Sequence, residues 1–362
     1  MATATTERVT IEAGVLRSAL ADVLKAVPAR APRPILQNVR LGDGLITGTD
    51  LELRIDREID YHGEPVLLPA ARLFSIVREL QADVAVSIEP DGTRCKIKAA
   101  RGSWTLPTES VLEYPAAEPG DLKPVCRMPV DQWRRAVRAT EYATDNESSR
   151  YALGAILLDV TDSNPTLIAT DGRRLAIVQA ETGQATGDHK CLVPSRAAIA
   201  ACASPGDSVQ IETDRTWLVL SSAGMTVSGR MIQGAFPKWQ DVVPKREAKR
   251  HTIQRDELLH GVRQAAIVTS EQSKGVEFTF GPKSLKLTAQ SSEAGQASVT
   301  VGLEEAGDAG TVKLDPGFVV DFLRTLDGEA DPTVTVEIGK PGDAVVLRCD
   351  DVTGVIMPLA QE

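Results

Sequence analysis

At 362 residues, 42% hydrophobic and 25% charged, the chain has the composition of a folded globular protein of two or three domains. A formal net charge of −10 excludes a protein basic over its whole surface and confines any nucleic-acid contact to a locally basic face. The five cysteines, Cys95, Cys126, Cys191, Cys202 and Cys349, are scattered and form no CxxC pair, which argues against structural zinc and against a disulfide framework. The Thr/Ala-rich start to Arg8 has no apolar signal core, and no run of about 18 apolar residues occurs, so a cytoplasmic protein with no membrane span is expected.

The first third opens with a short strand, Val9 to Glu12, followed by Val15, Leu16, Ala19, Leu20, Val23 and Leu24 at helical spacing. A Pro/Arg loop, Pro28 to Pro34, leads to strands over Ile35 to Leu41 and Leu45 to Leu53. Leu67-Leu68-Pro69 then enters a second helix with Leu73, Phe74, Val77 and Leu80 on one face, and strands run to Pro107 before the segment closes at Tyr114-Pro115. The middle third repeats this order. A helix carries Trp133, Ala136, Val137 and Thr140, strands cover Tyr151 to Val160 and Leu167 to Val178, and a helix begins at Ser195 before closure at Phe236-Pro237. Within it, Thr170-Asp171-Gly172 reads as a hairpin turn, because Gly accepts φ > 0 and Asp tolerates it. The last third repeats the order again. Its helices carry Leu258, Leu259, Val262 and Ala266, then Phe318, Val319, Phe322 and Leu323; its strands include Val276 to Phe280 and Leu285 to Gln290 and end at Met357-Pro358.

Asp50 and Asp171 stand 121 positions apart; Tyr114 and Phe236, like Pro194 and Pro316, stand 122 apart. The chain therefore reads as an α+β protein of three tandem β-α-β-β-β-α-β-β units of about 120 residues, with boundaries at 1–125, 126–247 and 248–362. Head-to-tail units of this kind form an open array or an arc of a ring. The six predicted helices, 15–26, 70–81, 130–143, 195–205, 255–268 and 315–326, together carry +3 against −10 for the chain. That pattern suits a mildly basic, helix-lined surface inside an acidic shell, although the third unit adds nothing to the excess. A competing reading makes Thr170 to Arg174 a phosphate or metal site of an enzyme. Against it, the four histidines have no ligand spacing and no Gly-rich phosphate loop or nucleophile elbow is present. No metal, cofactor or catalytic residue is expected.

Several separated blocks resemble the bacterial DNA polymerase III β subunit, the sliding clamp family. They are Arg30 to Asn38, Thr47 to Glu52, Arg150 to Leu153, Ala169 to Ala176, Phe236-Pro237 and Val355 to Leu359, and the likeness spans residues 9 to 359. The resemblance implies three similar clamp domains per chain, with two chains forming a ring of six domains whose helices line the hole. It implies a non-catalytic processivity factor that encircles double-stranded DNA. The implied partners are the replicative DNA polymerase, a clamp loader and other proteins carrying clamp-binding motifs. It maps a partner-peptide pocket onto Leu153, Thr170, Gly172, Arg173, Arg174, Leu175, Pro237, Val242, Val355, Ile356, Met357, Pro358 and Leu359. DNA contacts map onto Arg30 and Tyr151, with Arg72, Arg78, Arg134, Arg135, Arg138 and Arg196 as helix cations near the phosphates. A homodimer interface maps onto Trp104 and Leu106 against Ile267 and Val268. The chain departs from the family at Ala152 (often aromatic), Glu147 (polar and neutral), Asp241 (basic) and the polar tail Ala360-Gln361-Glu362. Ala152 and Glu147 lean toward a second reading, a clamp-like paralogue that binds partners without encircling DNA.

Overall fold

The computed structural model describes residues 10–115, 119–145, 152–161, 164–180, 184–186, 189–245, 248–270, 275–328 and 332–360. The first repeat runs β1 (Thr10–Glu12), α1 (Ala13–Val23), β2 (Asn38–Gly42), β3 (Leu45–Thr49), β4 (Leu53–Glu58), β5 (Val66–Pro69), α2 (Ala70–Arg78), β6 (Ala85–Asp91), β7 (Arg94–Ala99) and β8 (Gly102–Pro107). The second runs β9 (Lys123–Pro129), α3 (Val130–Glu141), β10 (Ala155–Asp159), β11 (Thr166–Thr170), β12 (Arg174–Gln179), the two-residue β13 (Gln184–Ala185), β14 (Lys190–Pro194), α4 (Ser195–Ala201), β15 (Ser208–Thr213), β16 (Trp217–Ser222) and β17 (Met225–Arg230). The third runs β18 (Lys249–Gln254), α5 (Arg255–Ala265), β19 (Val276–Phe280), β20 (Ser284–Ser291), β21 (Gly295–Gly302), β22 (Gly310–Leu314), α6 (Pro316–Thr325), β23 (Thr333–Ile338), β24 (Val345–Cys349) and β25 (Val352–Ile356).

Each repeat is thus two successive β-α-β-β-β copies, eight strands beside the extra β13, where the sequence pattern suggested six. The shortfall has local causes. Leu45 to Leu53 reads as one apolar run, but the Asp50 carboxylate accepts from the N–H groups of Glu52 and Leu53 and folds it into a hairpin. The run from Ile35 likewise begins as a 3-10 turn over Pro34–Gln37, because proline fits the first helical position and donates nothing to a ladder. The predicted helix over 195–205 stops at Ala201.

Two compact units emerge from the contacts, Met1–Asp131 with Arg196–Met231, and Gln132–Ser195 with Ile232–Glu362. The first holds a sheet in the order β1-β6-β7-β8 and an eight-strand run β9-β15-β16-β17-β4-β3-β2-β5. The second holds an eight-stranded sheet β14-β10-β11-β12-β25-β24-β23-β18 and a sheet β21-β20-β19-β22. In every repeat the two copies exchange opening strands: β1 pairs with β6 and β5 with β2, β9 with β15 and β14 with β10, β18 with β23 and β22 with β19. Through the exchange, neither copy completes its sheet with its own strands alone. The helices bury their apolar stripes, as α1 does with Leu16, Ala19, Leu20 and Val23 and α6 with Val319, Phe322 and Leu323.

Candidate partner groove and nucleic-acid interface

The site begins with the β11–β12 hairpin of the second unit. Thr170 Oγ1 donates to the Arg174 carbonyl at 2.7 Å and accepts from Gly172 N at 3.1 Å, while Asp171 Oδ1 accepts from Arg173 N and Arg174 N, each at 2.9 Å. Gly172 takes φ +87° with open space where a Cβ would stand, so this turn needs glycine for its backbone alone. The same bonding recurs at Thr49-Asp50-Leu51-Glu52-Leu53 and at Thr213-Asp214-Arg215-Thr216-Trp217, with Leu51 at φ +81° and Arg215 at φ +74°. Asp171 is therefore a turn-former shared by three hairpins, and no group of three or more His, Cys, Asp or Glu able to hold a metal occurs among the described residues. The Asp171 carboxylate is thus occupied by its own turn.

The hairpin leads into an apolar wall. Leu157, Ile168, Leu175, Ala344, Val346 and Val355 form a buried cluster, with Ile177, Leu192, Phe236, Trp239 and Val243 half-buried against it. Leu175 lies opposite Val355 and Arg174 opposite Ile356 in the β12–β25 ladder. Met357 N continues that ladder by donating to the Arg173 carbonyl, and Leu359 N donates to the Lys313 carbonyl on β22, both at 2.9 Å. The C-terminal run is thus fixed by backbone bonds, and its apolar side chains stand at chosen positions. Val242 and Met357 remain exposed, at 44% and 41%, among the few large apolar side chains that do. Leu153, Thr170 and Ile356 are buried; Pro237, Pro358 and Leu359 are half-buried.

The two arginines of the turn part company. Arg174 bonds Asp171 at 2.9 Å and Asp321 at 2.6 Å, and its guanidinium lies 5.1 Å from the Tyr142 ring centroid and 4.6 Å from that of Phe318. It ties Tyr142, just after α3, the turn and α6 together. Burial raises the Tyr142 phenol above its ordinary range, with Arg174 pulling the other way, so the ring stays neutral at any working pH. Arg173, by contrast, is exposed and 5.8 Å from the Phe318 ring. Ile168, Ile177, Leu192, Trp239, Val243, Ala344 and Val346 belong to the apolar cluster beside the turn, a placement that sequence reasoning missed. The β-alternation of Ile168 and Ile177 around the turn was a usable signal. Nothing local distinguished Ala344, Val346 or Phe318 from ordinary core.

Profiles described as "DNA polymerase III beta subunit, N-terminal domain", "central domain" and "C-terminal domain" match residues 8–118, 127–238 and 240–360. The chain belongs to the DNA polymerase III beta subunit family. It is 29% identical to the beta sliding clamp of Caulobacter vibrioides, across 94% of this chain and 98% of that one, and 26% identical to the beta sliding clamp of Pseudomonas putida, across 97% and 99%. Among solved structures, the C. crescentus beta sliding clamp with polyethylene glycol in a putative beta-motif tethering region aligns with TM-score 0.86 and 26% identity, over 98% of this chain and 99% of that one. The Pseudomonas aeruginosa sliding clamp bound to griselimycin aligns with TM-score 0.90 and 24% identity over the same shares, which speaks to the fold.

For a beta sliding clamp family member, the expected DNA cations divide by their surroundings. Arg30, Arg72, Arg134 and Arg138 have exposed side chains. Arg78 is exposed but bonds Glu79 at 3.0 Å. Arg196 pairs with Asp50 at 2.7 Å, and Arg135 pairs with Asp351. Arg135 and Arg196 therefore meet carboxylates of their own unit while keeping part of their side chains exposed. Tyr151 and Glu147 lie outside the described residues, and Ala152 is buried. At the expected interface, Leu106 is buried, and the Trp104 indole lies over Gly102, where a Cβ would meet it at 2.3 Å. Val268 is half-buried, and Ile267 stands 77% exposed on the 3-10 turn after α5.

Proposed function

We propose that two copies of this chain close head to tail into a ring around duplex DNA, and that the apolar groove of the second unit tethers the replicative polymerase to it. The chain acts as a sliding clamp and catalyses nothing itself. The three family domains, bounded at 1–125, 126–247 and 248–362, are the arcs of that ring. Arg30, Arg72, Arg134, Arg138 and, in its turn, Tyr151 meet the DNA backbone without reading sequence.

The observation that carries ring closure is a pairing rule. The last strand of one repeat's first copy pairs antiparallel with the last strand of the next repeat's second copy, β4 with β17 and β12 with β25. By this rule β21 of the third repeat and β8 of the first are left over, each ending its four-stranded sheet. An open edge is a template for another strand. Continuing the rule from one chain to the next sets β21 beside β8 of a second copy, with exposed Ile267 close to that seam. Two copies joined twice in this way leave neither β8 nor β21 as an open edge, which favours a closed homodimer. A clamp loader that opens the ring, other motif-bearing partners and residence on the nucleoid follow from the same reading.

The test is topological. The protein is loaded on nicked circular DNA with a clamp loader and ATP, washed in high salt, and the DNA is then linearised. Retention on circles with loss from linear DNA is expected of a closed ring, since salt removes ordinary phosphate contacts. Loss from both in salt would replace the ring by a partner-binding paralogue. Replacing Ile267 and Val268 by Ala is expected to give monomers in light scattering; an intact dimer would move the interface elsewhere.

A further inference from the structure

The two strands left as open edges, β8 and β21, carry no charged side chain: they read Gly-Ser-Trp-Thr-Leu-Pro and Gly-Gln-Ala-Ser-Val-Thr-Val-Gly. Natural edge strands commonly carry charges that refuse a wrong partner, so here any such refusal has to come from residues flanking the strands. Inside the second unit, the equivalent joint is closed by ions. There β12 pairs with β25, Val178 lies opposite Val352, and Gln179 N donates to the carbonyl of Asp351 in the β24–β25 turn. The Asp351 carboxylate meets Arg135 on α3, so the helix supplies the cation and the turn the anion. The open edges have the same parts around them. Ser291 stands 121 positions after Thr170, and its hydroxyl accepts N–H groups of its own turn, as Thr170 Oγ1 does. The β7–β8 turn matches the β24–β25 turn: Ala99 lies opposite Gly102 as Cys349 lies opposite Val352, and Ala100 and Asp350 both take φ +48°.

Carried over to β21 and β8, this register sets Val299 beside Gly102, and Thr300 beside Arg101, of a second copy. Arg101 thus takes the place of Asp351. Helix α5 buries Leu258, Gly261 and Val262 where α3 buries Trp133, Ala136 and Val137, so His260 takes the place of Arg135 and Glu257 stands one turn before it. A Cβ on Gly302 would lie 3.5 Å from Glu257 Oε2, which puts that carboxylate over the end of β21. Gly302 is two residues, about 7 Å, along the strand from Thr300, within the reach of an arginine side chain. Glu257 and Arg101 are both exposed, and neither joins an ion pair among the described residues. We propose that Glu257 of one copy and Arg101 of the partner subunit form an ion pair across the ring seam, with the polarity of the Arg135–Asp351 pair reversed. The inference rests on the ring reading, which sets β21 beside β8. Its consequence is selection of the partner edge. A β21 edge paired with another β21 leaves both Glu257 carboxylates without a cation, and paired β8 edges leave both Arg101 cations without an anion; β21 beside β8 satisfies both. The neutral strands accept any edge, and the flanking charges favour the head-to-tail one.

The test uses the full chain with charge swaps at these two exposed positions, and dimer affinity is read by analytical ultracentrifugation at 50 mM and 1 M NaCl. A chain carrying Glu257→Arg, or one carrying Arg101→Glu, sets like charges at both seams. Each is expected to dimerise about 10-fold more weakly than wild type at 50 mM, with the difference lost at 1 M. Mixed together, the two single variants place opposite charges at both seams, and native mass spectrometry is expected to find mainly the heterodimer, formed with wild-type affinity. The variant with both swaps is expected to dimerise like wild type, a rescue that misfolding of either single variant would not allow. Single variants as tight as wild type, or a statistical mixture of dimers on mixing, would overturn the ion pair. A wild-type chain that stays monomeric would overturn the ring and the pair with it, whereas a wild-type dimer indifferent to the swaps removes the pair and leaves the ring.

Discussion

The hairpin at Thr170–Arg174 of the second unit has a counterpart at Thr49–Leu53 of the first, and the two are put to opposite ends. In the first unit Thr47 lies opposite Asp56, and Arg54 lies between Thr49 and Ser228. In the second the matching positions are Ile168 opposite Ile177, and Leu175 between Thr170 and Val355. Where the second unit presents four apolar side chains, the first presents a polar network: Arg54 bonds Asp56 at 2.8 and 3.0 Å, and Thr47 Oγ1 donates to Asp56 at 2.6 Å. The turns differ in the same sense. Gly172 leaves open space, whereas its counterpart Leu51 accepts a left-handed backbone and packs its side chain against Ile35, Leu36, Leu67 and Tyr114. A left-handed leucine costs about 1–2 kcal/mol, offset here by burial. One copy is plugged and polar, the other open and apolar. Identical backbone bonding therefore does not make a site; a handful of side chains on one sheet face decides it.

The comparison can be broken most severely at Leu175, which is buried at the centre of the groove wall. Leu175→Ala is expected to cost about 2–4 kcal/mol by leaving a cavity, seen as a lower urea midpoint for the second unit and loss of peptide binding. The counterpart Arg54→Ala strips the cation from a largely buried Asp56 and is expected to cost about 1–3 kcal/mol. Replacing Thr47, Arg54 and Asp56 together by Ile, Leu and Ile sharpens the contrast. The triple variant is expected to be more stable than Arg54→Ala in the same urea titration, because no charge is left unpaired. If it is the less stable of the two, the network is more than a polar substitute for the apolar face.

Smaller effects follow. Gly172→Ala adds a methyl to open space, so only its backbone resists, and a loss of about 1 kcal/mol is expected with peptide binding retained. A loss of several kcal/mol would mean that the turn is packed and the groove closed there. Acid is expected to act on the second unit through His251. The ring is buried, stacks on Phe280 with centroids 4.3 Å apart, and accepts from Gly307 N through Nδ1 at 3.2 Å. Burial, and next the Lys249 ammonium, hold its pKa below the ordinary imidazole value, against a weaker upward pull from Asp308. The neutral ring belongs to the fold, so its contribution is complete above about pH 6.5 and is lost as the pH falls and the unfolded chain takes up the proton first. His251→Gln, which cannot titrate, is expected to flatten the stability of the second unit between pH 7 and 5 relative to wild type; parallel curves would remove His251 from the acid response.

The sequence by itself determined the three-fold repeat, the six helices and the turn chemistry, because these depend on neighbours along the chain. Apolar residues at helical spacing mark a helix wherever the chain goes, and Thr-Asp-Gly folds its own hairpin through its own side chains. It also singled out the Thr170 and Val355 blocks, which lie 185 residues apart yet lie on neighbouring paired strands. Tertiary structure alone decided the rest. The exchange of opening strands between copies is invisible to periodicity, since an exchanged strand has the same alternation as one that stays. The fate of each charge was equally hidden. Arg173 and Arg174 are neighbours of one type, and only the approach of Asp321 and Phe318 from a helix nearly 150 positions away makes one a structural clamp and leaves the other at the surface. Arg135 and Arg196 read as surface cations until Asp351 and Asp50 are brought to them. A charge's role is set by what lies within a few ångströms of it, and those distances are fixed only when the chain has folded.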